Sequence, residues 1–180
     1  MPLDKTVLLS FGLIKSYKNI EQLLKVFIHT ELHDCILLIA GHPESTELAQ
    51  AIESLGIGHP RIKLCLQFIP DSDVSLYHDA ADIAILPYKQ ILNSGALLLA
   101  LSFNKPVIAP HIGAFATMQQ ELGPEWIQTY TGELSSENLS MAIQAVSQYP
   151  NRSVCPLDNF DWDHLAQLTL NFYQNLNQAA

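Results

Sequence analysis

The stretch Ala84 to Pro110, AILPYKQILNSGALLLALSFNKPVIAP, decides the fold. Ile83 to Leu86 is a short apolar run stopped by Pro87, and Asn93-Ser94-Gly95 sets small capping residues before the unbroken apolar run Ala96 to Leu101. A helix therefore begins at the Ser-Gly pair. Asn104 and Pro106 close it, because asparagine tolerates the left-handed C-cap conformation and proline cannot continue a helix; Pro-Val-Ile-Ala follows as the next strand. This order places a helix N-terminus at the carboxyl end of a strand, where unpaired N–H groups and the helix dipole attract an anion.

The same alternation extends in both directions. Upstream, Thr6 to Phe11 is an apolar strand ending at Gly12; after the loop LIKSYK, Asn19 and Gln22 stand at capping-box spacing, and Ile20, Leu23, Leu24, Phe27 and Ile28 share one helical face. Cys35 to Ala40 predicts a second strand, Glu44 to Leu55 a helix ended by Gly56, and Arg61 to Phe68 a third strand. Pro70-Asp71 opens a short helix with Val74, Tyr77 and Ala81 inward. Downstream of Gly113 the pattern weakens until Trp126 to Tyr130, a short sixth strand. Helices follow over Ser136 to Gln148 and Asp161 to Leu176, joined by a crossing segment with Pro150 and Pro156. Trp126 and Trp162 read as core anchors. Strands alternating with helices predict an α/β, Rossmann-like, doubly wound parallel sheet of about six strands with helices on both faces, in one domain over residues 1–180.

Composition narrows the function classes. Hydrophobic residues make up 48% of the 180 residues and charged ones 15%, which suits an α/β core, and no apolar run approaches a membrane span. A net charge of −9 argues against nucleic acid and against a broadly basic lipid-adsorbing surface. The start MPLDKT carries no charged-then-apolar leader pattern, and Cys35, Cys65 and Cys155 lack metal or redox spacing. Both features predict a cytoplasmic protein with ordinary buried thiols.

Doubly wound sheets bind ligands at the carboxyl edge of the strands. The loops gathered there are 12–18, 41–44, 68–71, 87–94 and 110–114. No zinc spacing, P-loop, nucleophile elbow or three-glycine dinucleotide fingerprint is present. What the edge offers is an anion cradle: Gly12, the Lys15 and Lys18 ammonium groups, and the Ser94, Gly95 and Ala96 amides. A diphosphate suits it, because cations and helix-end amides stabilise charge growing on a leaving nucleoside diphosphate. Tyr17, Tyr88, Lys89, Asn93 and His111 are further pocket candidates, and among the seven histidines only His42 and His111 fall in edge loops. No residue is assigned as a catalytic acid, base or nucleophile.

Taken in order, FGLIKSYKNIEQLLKVF, LLIAGHPE, AADIAILPY, NSGALLLALSFNKPVIAP and FDWDHLAQLTLNFY resemble the C-terminal, nucleotide-sugar-binding half of the GT-B glycosyltransferases, in particular the large retaining family called family 4 or group 1. The resemblance implies that Lys18 contacts the donor diphosphate and that Ser94 and the neighbouring amides take a phosphate. Gly41, His42, Phe68, Ile69 and Pro70 then face the nucleoside. Two features depart from it. The family arginine after the first-strand glycine is Leu13, with Lys15 as a replacement nearby, and the family's two glutamates, which hold the sugar and the ribose, fall on Ile91 and Leu99.

The implied activity is donor binding for a retaining glycosyltransferase that uses a nucleoside-diphosphate sugar, with no metal or further cofactor. The implied partner is an N-terminal acceptor-binding half that this chain lacks, and peripheral membrane contact would run through that half. Alone, the chain is expected to transfer nothing. Two other readings stand beside this one: a noncatalytic nucleotide-binding or regulatory domain that kept the half-fold and lost the glutamates, and, ranked lowest, a flavodoxin-like or receiver-like module, although the acidic first-strand end a receiver needs is replaced by Ser10-Phe11-Gly12.

Overall fold

The computed structural model describes residues 5–91, 94–160, 166–167 and 169–174. Its strands are β1 (Thr6–Phe11), β2 (Cys35–Ala40), β3 (Ile62–Cys65), β4 (Ile83–Ile85), β5 (Val107–Pro110) and β6 (Ile127–Tyr130), all parallel, in the order β3-β2-β1-β4-β5-β6. The helices are α1 (Ile20–Ile28), α2 (Thr46–Gly56), α3 (Val74–Asp79), α4 (Gly95–Ser102), α5 (Gly113–Leu122) and α6 (Ser136–Ser147).

Period-two alternation along buried strands sorts the side chains between two layers. Leu8, Leu37, Ile39, Ile83, Ile85 and Ile108 point to the face packed with Leu23, Leu24 and Phe27 of α1, Ile52 of α2 and Leu139 and Ile143 of α6. Their neighbours point the other way. Ala84, Leu86, Val107 and Ala109 meet Leu97 and Leu101 of α4 and Phe115 and Met118 of α5, while Val7, Leu9 and Leu38 meet the end of α3. Helices therefore cover both faces, as the sequence predicts. Cys155 in the crossing segment is buried in the α4/α5 layer, its N–H donating to Asn104 Oδ1 at 2.8 Å.

The capping signals of α4 are realised. Ser94 Oγ accepts from Leu97 N–H at 3.1 Å, and Asn104 takes up φ 55° just past the helix end. Three expectations need correction. Asn19 does not form a capping box: a 3-10 turn over Ser16–Lys18 runs straight into α1, so Asn19 ends one and starts the other at φ 60°, and Gln22 donates to the Leu134 carbonyl instead. Beyond Gly113 the weak pattern hides helix α5, whose Phe115, Met118 and Leu122 are buried at helical spacing. On α3 the deepest side chain is His78, with Tyr77 only half-buried. For the closing helix, residues 166–167 and 169–174 are helical, with Leu170, Phe172 and Tyr173 exposed; Asp161 to Leu165 with Trp162, Leu168 and the end at Leu176 lie outside the described residues.

One contact ties β1 to β2 at the carboxyl edge. A Cβ on Gly41, whose φ is +147°, would lie 1.9 Å from the Gly12 carbonyl oxygen. No side chain fits there. Gly41→Ala should lower unfolding stability by about 2 kcal/mol or more in a urea titration, because backbone must move. At Gly95 an added Cβ meets nothing within 4 Å, so Gly95→Ala should stay within about 0.5 kcal/mol of the parent. Equal midpoints for the two variants would contradict the close approach.

Candidate functional site

In the observed strand order, β1 feeds α1 on one face and β4 feeds α4 on the other, so the loops leaving β1 and β4 diverge and open a crevice between them. The loop after β1 is braced against the exit of β2. Gly12 N–H donates to Ala40 O (2.9 Å), Ile14 N–H to His42 O (2.8 Å) and Glu44 N–H to Ile14 O (2.8 Å), prolonging the parallel pairing beyond the strands. Glu44 Oε1 then accepts from both the N–H and the Oγ of Ser16 at 2.7 Å each, fixing the start of the 3-10 turn that carries Lys18. Those bonds, together with the nearby Lys15 ammonium, hold the Glu44 carboxyl below the usual carboxylate range.

Lys18 is the product of this bracing. Its side chain is 9% exposed, its Nζ sits 5.4 Å over the Tyr88 ring, and no described residue accepts a hydrogen bond from it. Burial, reinforced by Lys15, pushes its pKa down to about 8. A buried ammonium with only an aromatic face beside it is costly unless an anion arrives. It lines a cavity of about 210 Å³ with Gly12, Leu13, Ala96, Leu99 and His78. Lys15 does not line that cavity and acts on Lys18 and Glu44 through its charge.

The first turn of α4 forms the opposite wall. Ser94 caps the helix, and the Gly95 and Ala96 N–H groups lie outside the helical ladder, free for an incoming acceptor. Leu99 also lines this cavity, so the wall is apolar where the family resemblance has a carboxylate. Ile91 packs elsewhere, its carbonyl 3.0 Å from where a Cβ on Gly113 would lie.

Tyr88 divides the crevice. Tyr17 packs edge-on against it (5.5 Å), Phe115 lies beneath it (5.7 Å), and Lys89 N–H donates to the Tyr17 carbonyl. On its far side lies a second hollow of about 370 Å³, lined by Asn19, Gln22, Tyr88, Lys89, Pro110 and Glu133 among others. The Tyr88 hydroxyl is buried, and burial raises its pKa against the opposing influence of the Ser94 hydroxyl beside it.

The structure thus brings Gly12, Lys18 and Ala96 to one cavity and Tyr88 and Lys89 to the next, with Gly41 in contact behind Gly12. Other candidates stand apart. His42 is exposed and contributes its carbonyl to the loop; Phe68 and Pro70 are exposed and Ile69 is buried; His111 Nδ1 pairs with Thr129 Oγ1 at 2.9 Å and lines neither cavity. Asn93 lies outside the described residues. His78 is absent from the sequence-derived site; its helical spacing with Val74 and Ala81 was the available signal. No group of three or more His, Cys, Asp or Glu side chains among the described residues is placed to hold a metal ion, and no described helix is long and apolar enough to cross a membrane.

Residues 1–145 match the family described as "Glycosyl transferases group 1". A GDP-mannose:glycolipid 4-beta-D-mannosyltransferase from Xanthomonas campestris pv. campestris is 34% identical over 166 residues, covering 92% of this chain and 48% of that protein, so the chain spans about half the length of the curated relatives it matches. Among solved structures, a sucrose-phosphate synthase from Thermosynechococcus elongatus superposes with a TM-score of 0.71 at 20% identity, over 100% of this chain and 47% of its own. The catalytic domain of starch synthase IV from Arabidopsis thaliana, bound to ADP and acarbose, gives 0.68 at 13% identity over 96% and 38%. These likenesses show that the chain folds as one half of the GT-B architecture.

The depressed pKa gives the anion site a signature in pH. Inorganic pyrophosphate should bind more weakly as pH rises through about 8, where free Lys18 loses its proton. In calorimetry Lys18→Arg, charged throughout, should flatten that fall, and an unchanged pH profile in Lys18→Arg would contradict the assignment. Without ligand the sign reverses: the folded pKa lies below the ordinary 10.5, so Lys18 contributes a stability that rises as pH climbs from about 8 toward 10.5.

Proposed function

The chain belongs to the group 1 glycosyltransferases, and from that premise we propose that it is the donor-binding half of an enzyme that uses a nucleoside-diphosphate sugar. The observation that carries this reading is Lys18: a buried ammonium with no acceptor among the described residues, sharing a cavity with Gly12 and the first turn of α4. Lys18 and the Gly95 and Ala96 amides together would neutralise the charge that grows on the diphosphate as the sugar–oxygen bond breaks. Each helix-end interaction is worth about 0.3–1 kcal/mol when exposed, so convergence in a closed cleft is needed.

The relatives' name supports a guanosine donor and a lipid-linked acceptor for the whole protein. Acceptor binding and closure of the cleft fall to a second half, through which contact with a membrane surface would run. On stereochemistry two lines of inference diverge. The family resemblance implies retention, whereas a β-linked product made from an α-linked donor requires inversion; we adopt inversion, because the residues at the retaining family's glutamate positions, Ile91 and Leu99, are apolar.

A second reading is favoured by the same two residues: a domain that binds nucleotide and regulates, without transfer. The readings separate by experiment. Titrated with GDP, UDP and ADP, the chain should bind GDP most tightly, in the millimolar to high micromolar range, and should transfer no sugar to a generic acceptor. Joined to an acceptor-binding half, it should turn over a GDP-sugar and give the anomer of inverted configuration. No binding of any diphosphate at millimolar concentration would overturn the donor reading, and binding without turnover in the joined protein would favour the regulatory one.

A further inference from the structure

The second hollow, beyond Tyr88, is left without an occupant by the reading above. At about 370 Å³ it is larger than the cavity at Lys18, and the two share no lining residue. Its walls come from the start of α1 (Asn19, Gln22), the loop after β4 (Tyr88, Lys89) and the segments after β5 and β6 (Ile112, Glu133). Internal contacts hold these walls in place. Tyr88 packs against Tyr17 and Phe115, Gln22 Nε2 donates to the Leu134 carbonyl, and the Glu133 carbonyl accepts from Asn138 Nδ2 at 2.8 Å.

The polar groups along the hollow are unpaired. Asn19 makes no side-chain capping bond, and among the described residues neither the Lys89 ammonium nor the Glu133 carboxylate has a hydrogen-bond or ion-pair partner. An ammonium, a carboxylate and two amides set donors against acceptors with no net charge. A diphosphate would be repelled by Glu133 and an organic cation by Lys89. A neutral polyol meets neither penalty, since its hydroxyls donate to the carboxylate and accept from the ammonium. Pro87, Pro110 and Ile112 add apolar surface for the C–H groups of a ring. The volume equals that of about twelve waters of liquid, which takes a pyranose ring with room to spare.

Resting on the donor reading above, we propose that this hollow is a subsite for a neutral saccharide, a ring of the acceptor that receives the transferred sugar. The donor's own sugar is joined to the diphosphate at Lys18, whereas the hollow has no wall in common with that cavity and has Tyr88 standing between. A separate saccharide one ring's thickness from the leaving diphosphate is placed to receive. This half of the molecule then adds its own contacts to those of the second half.

The test follows backbone amide shifts of the 180-residue chain under titration with methyl β-glucopyranoside, alone and with saturating GDP. The glycoside should move the Asn19, Lys89, Gly132 and Glu133 amides, leave Gly12 and Ala96 in place, and bind no more weakly once GDP is present. Glucuronate and glucosamine, charged at neutral pH, should bind more weakly than the neutral ring. Asn19→Gly, which suits the left-handed backbone at φ 60°, and Glu133→Ala should each weaken the glycoside about fivefold, the value of one lost hydrogen bond; Glu133→Ala should leave GDP affinity unchanged. If GDP binds but the glycoside moves none of these amides, or both variants bind it like the parent, the inference falls while the donor reading stands. The same follows if GDP-mannose displaces the glycoside and GDP does not, because the hollow then holds the donor's sugar. Glycoside binding with no binding of GDP would overturn the acceptor assignment together with the donor reading.

Discussion

The carboxyl edge of this domain depends on a backbone contact that only glycine permits. Because Gly41 carries no side chain, the end of β2 can run against the carbonyl of Gly12, and the loop after β1 can pair with the segment after β2 through Ile14, His42 and Glu44. Each later feature follows from that docking. Glu44 reaches Ser16, the chain tightens into a 3-10 turn, and Lys18 is carried inward over Tyr88 rather than out to water. Move the two backbones apart and the lysine becomes an ordinary solvated cation.

The interior of the crevice is built against its own stability. Lys18 is buried with no acceptor among the described residues, and neither His78 nitrogen has a hydrogen-bond partner among them. An unsatisfied buried nitrogen costs on the order of 1–3 kcal/mol relative to a satisfied one. Elsewhere the described core is alternating aliphatic packing on both faces of a parallel sheet, and nothing in that packing demands polar atoms here. An anion bound beside Lys18 would offset the cost of burying its ammonium.

How much of this the sequence disclosed follows from which signals are local. The strand-loop-helix order, the Ser94 cap and the Asn104 terminator are set by neighbours a few residues apart, so they were legible before any coordinates. Lys18 was legible as a cation in an edge loop, but its burial was not, because burial comes from Tyr88, seventy residues later. Asn19 misled because its side chain suits a cap while the preceding 3-10 turn demands a left-handed residue at that position. His78 was obscured because Tyr77 beside it is the more usual inward residue, although Val74, His78 and Ala81 share the helical period. Helix α5 lacked a capping side chain and opens on a glycine at φ 46°, so its three apolar residues stood without a start signal.

The anion site proposed for this crevice joins the Gly12 loop, Lys18 and the first turn of α4. Backbone amide shifts of the isotope-labelled chain under titration with GDP test it most directly. The Gly12, Gly95 and Ala96 amides should move together along one saturable curve, and Lys18→Met should remove all three responses. Shifts confined to one of the two loops, or an unaltered response in Lys18→Met, would contradict it.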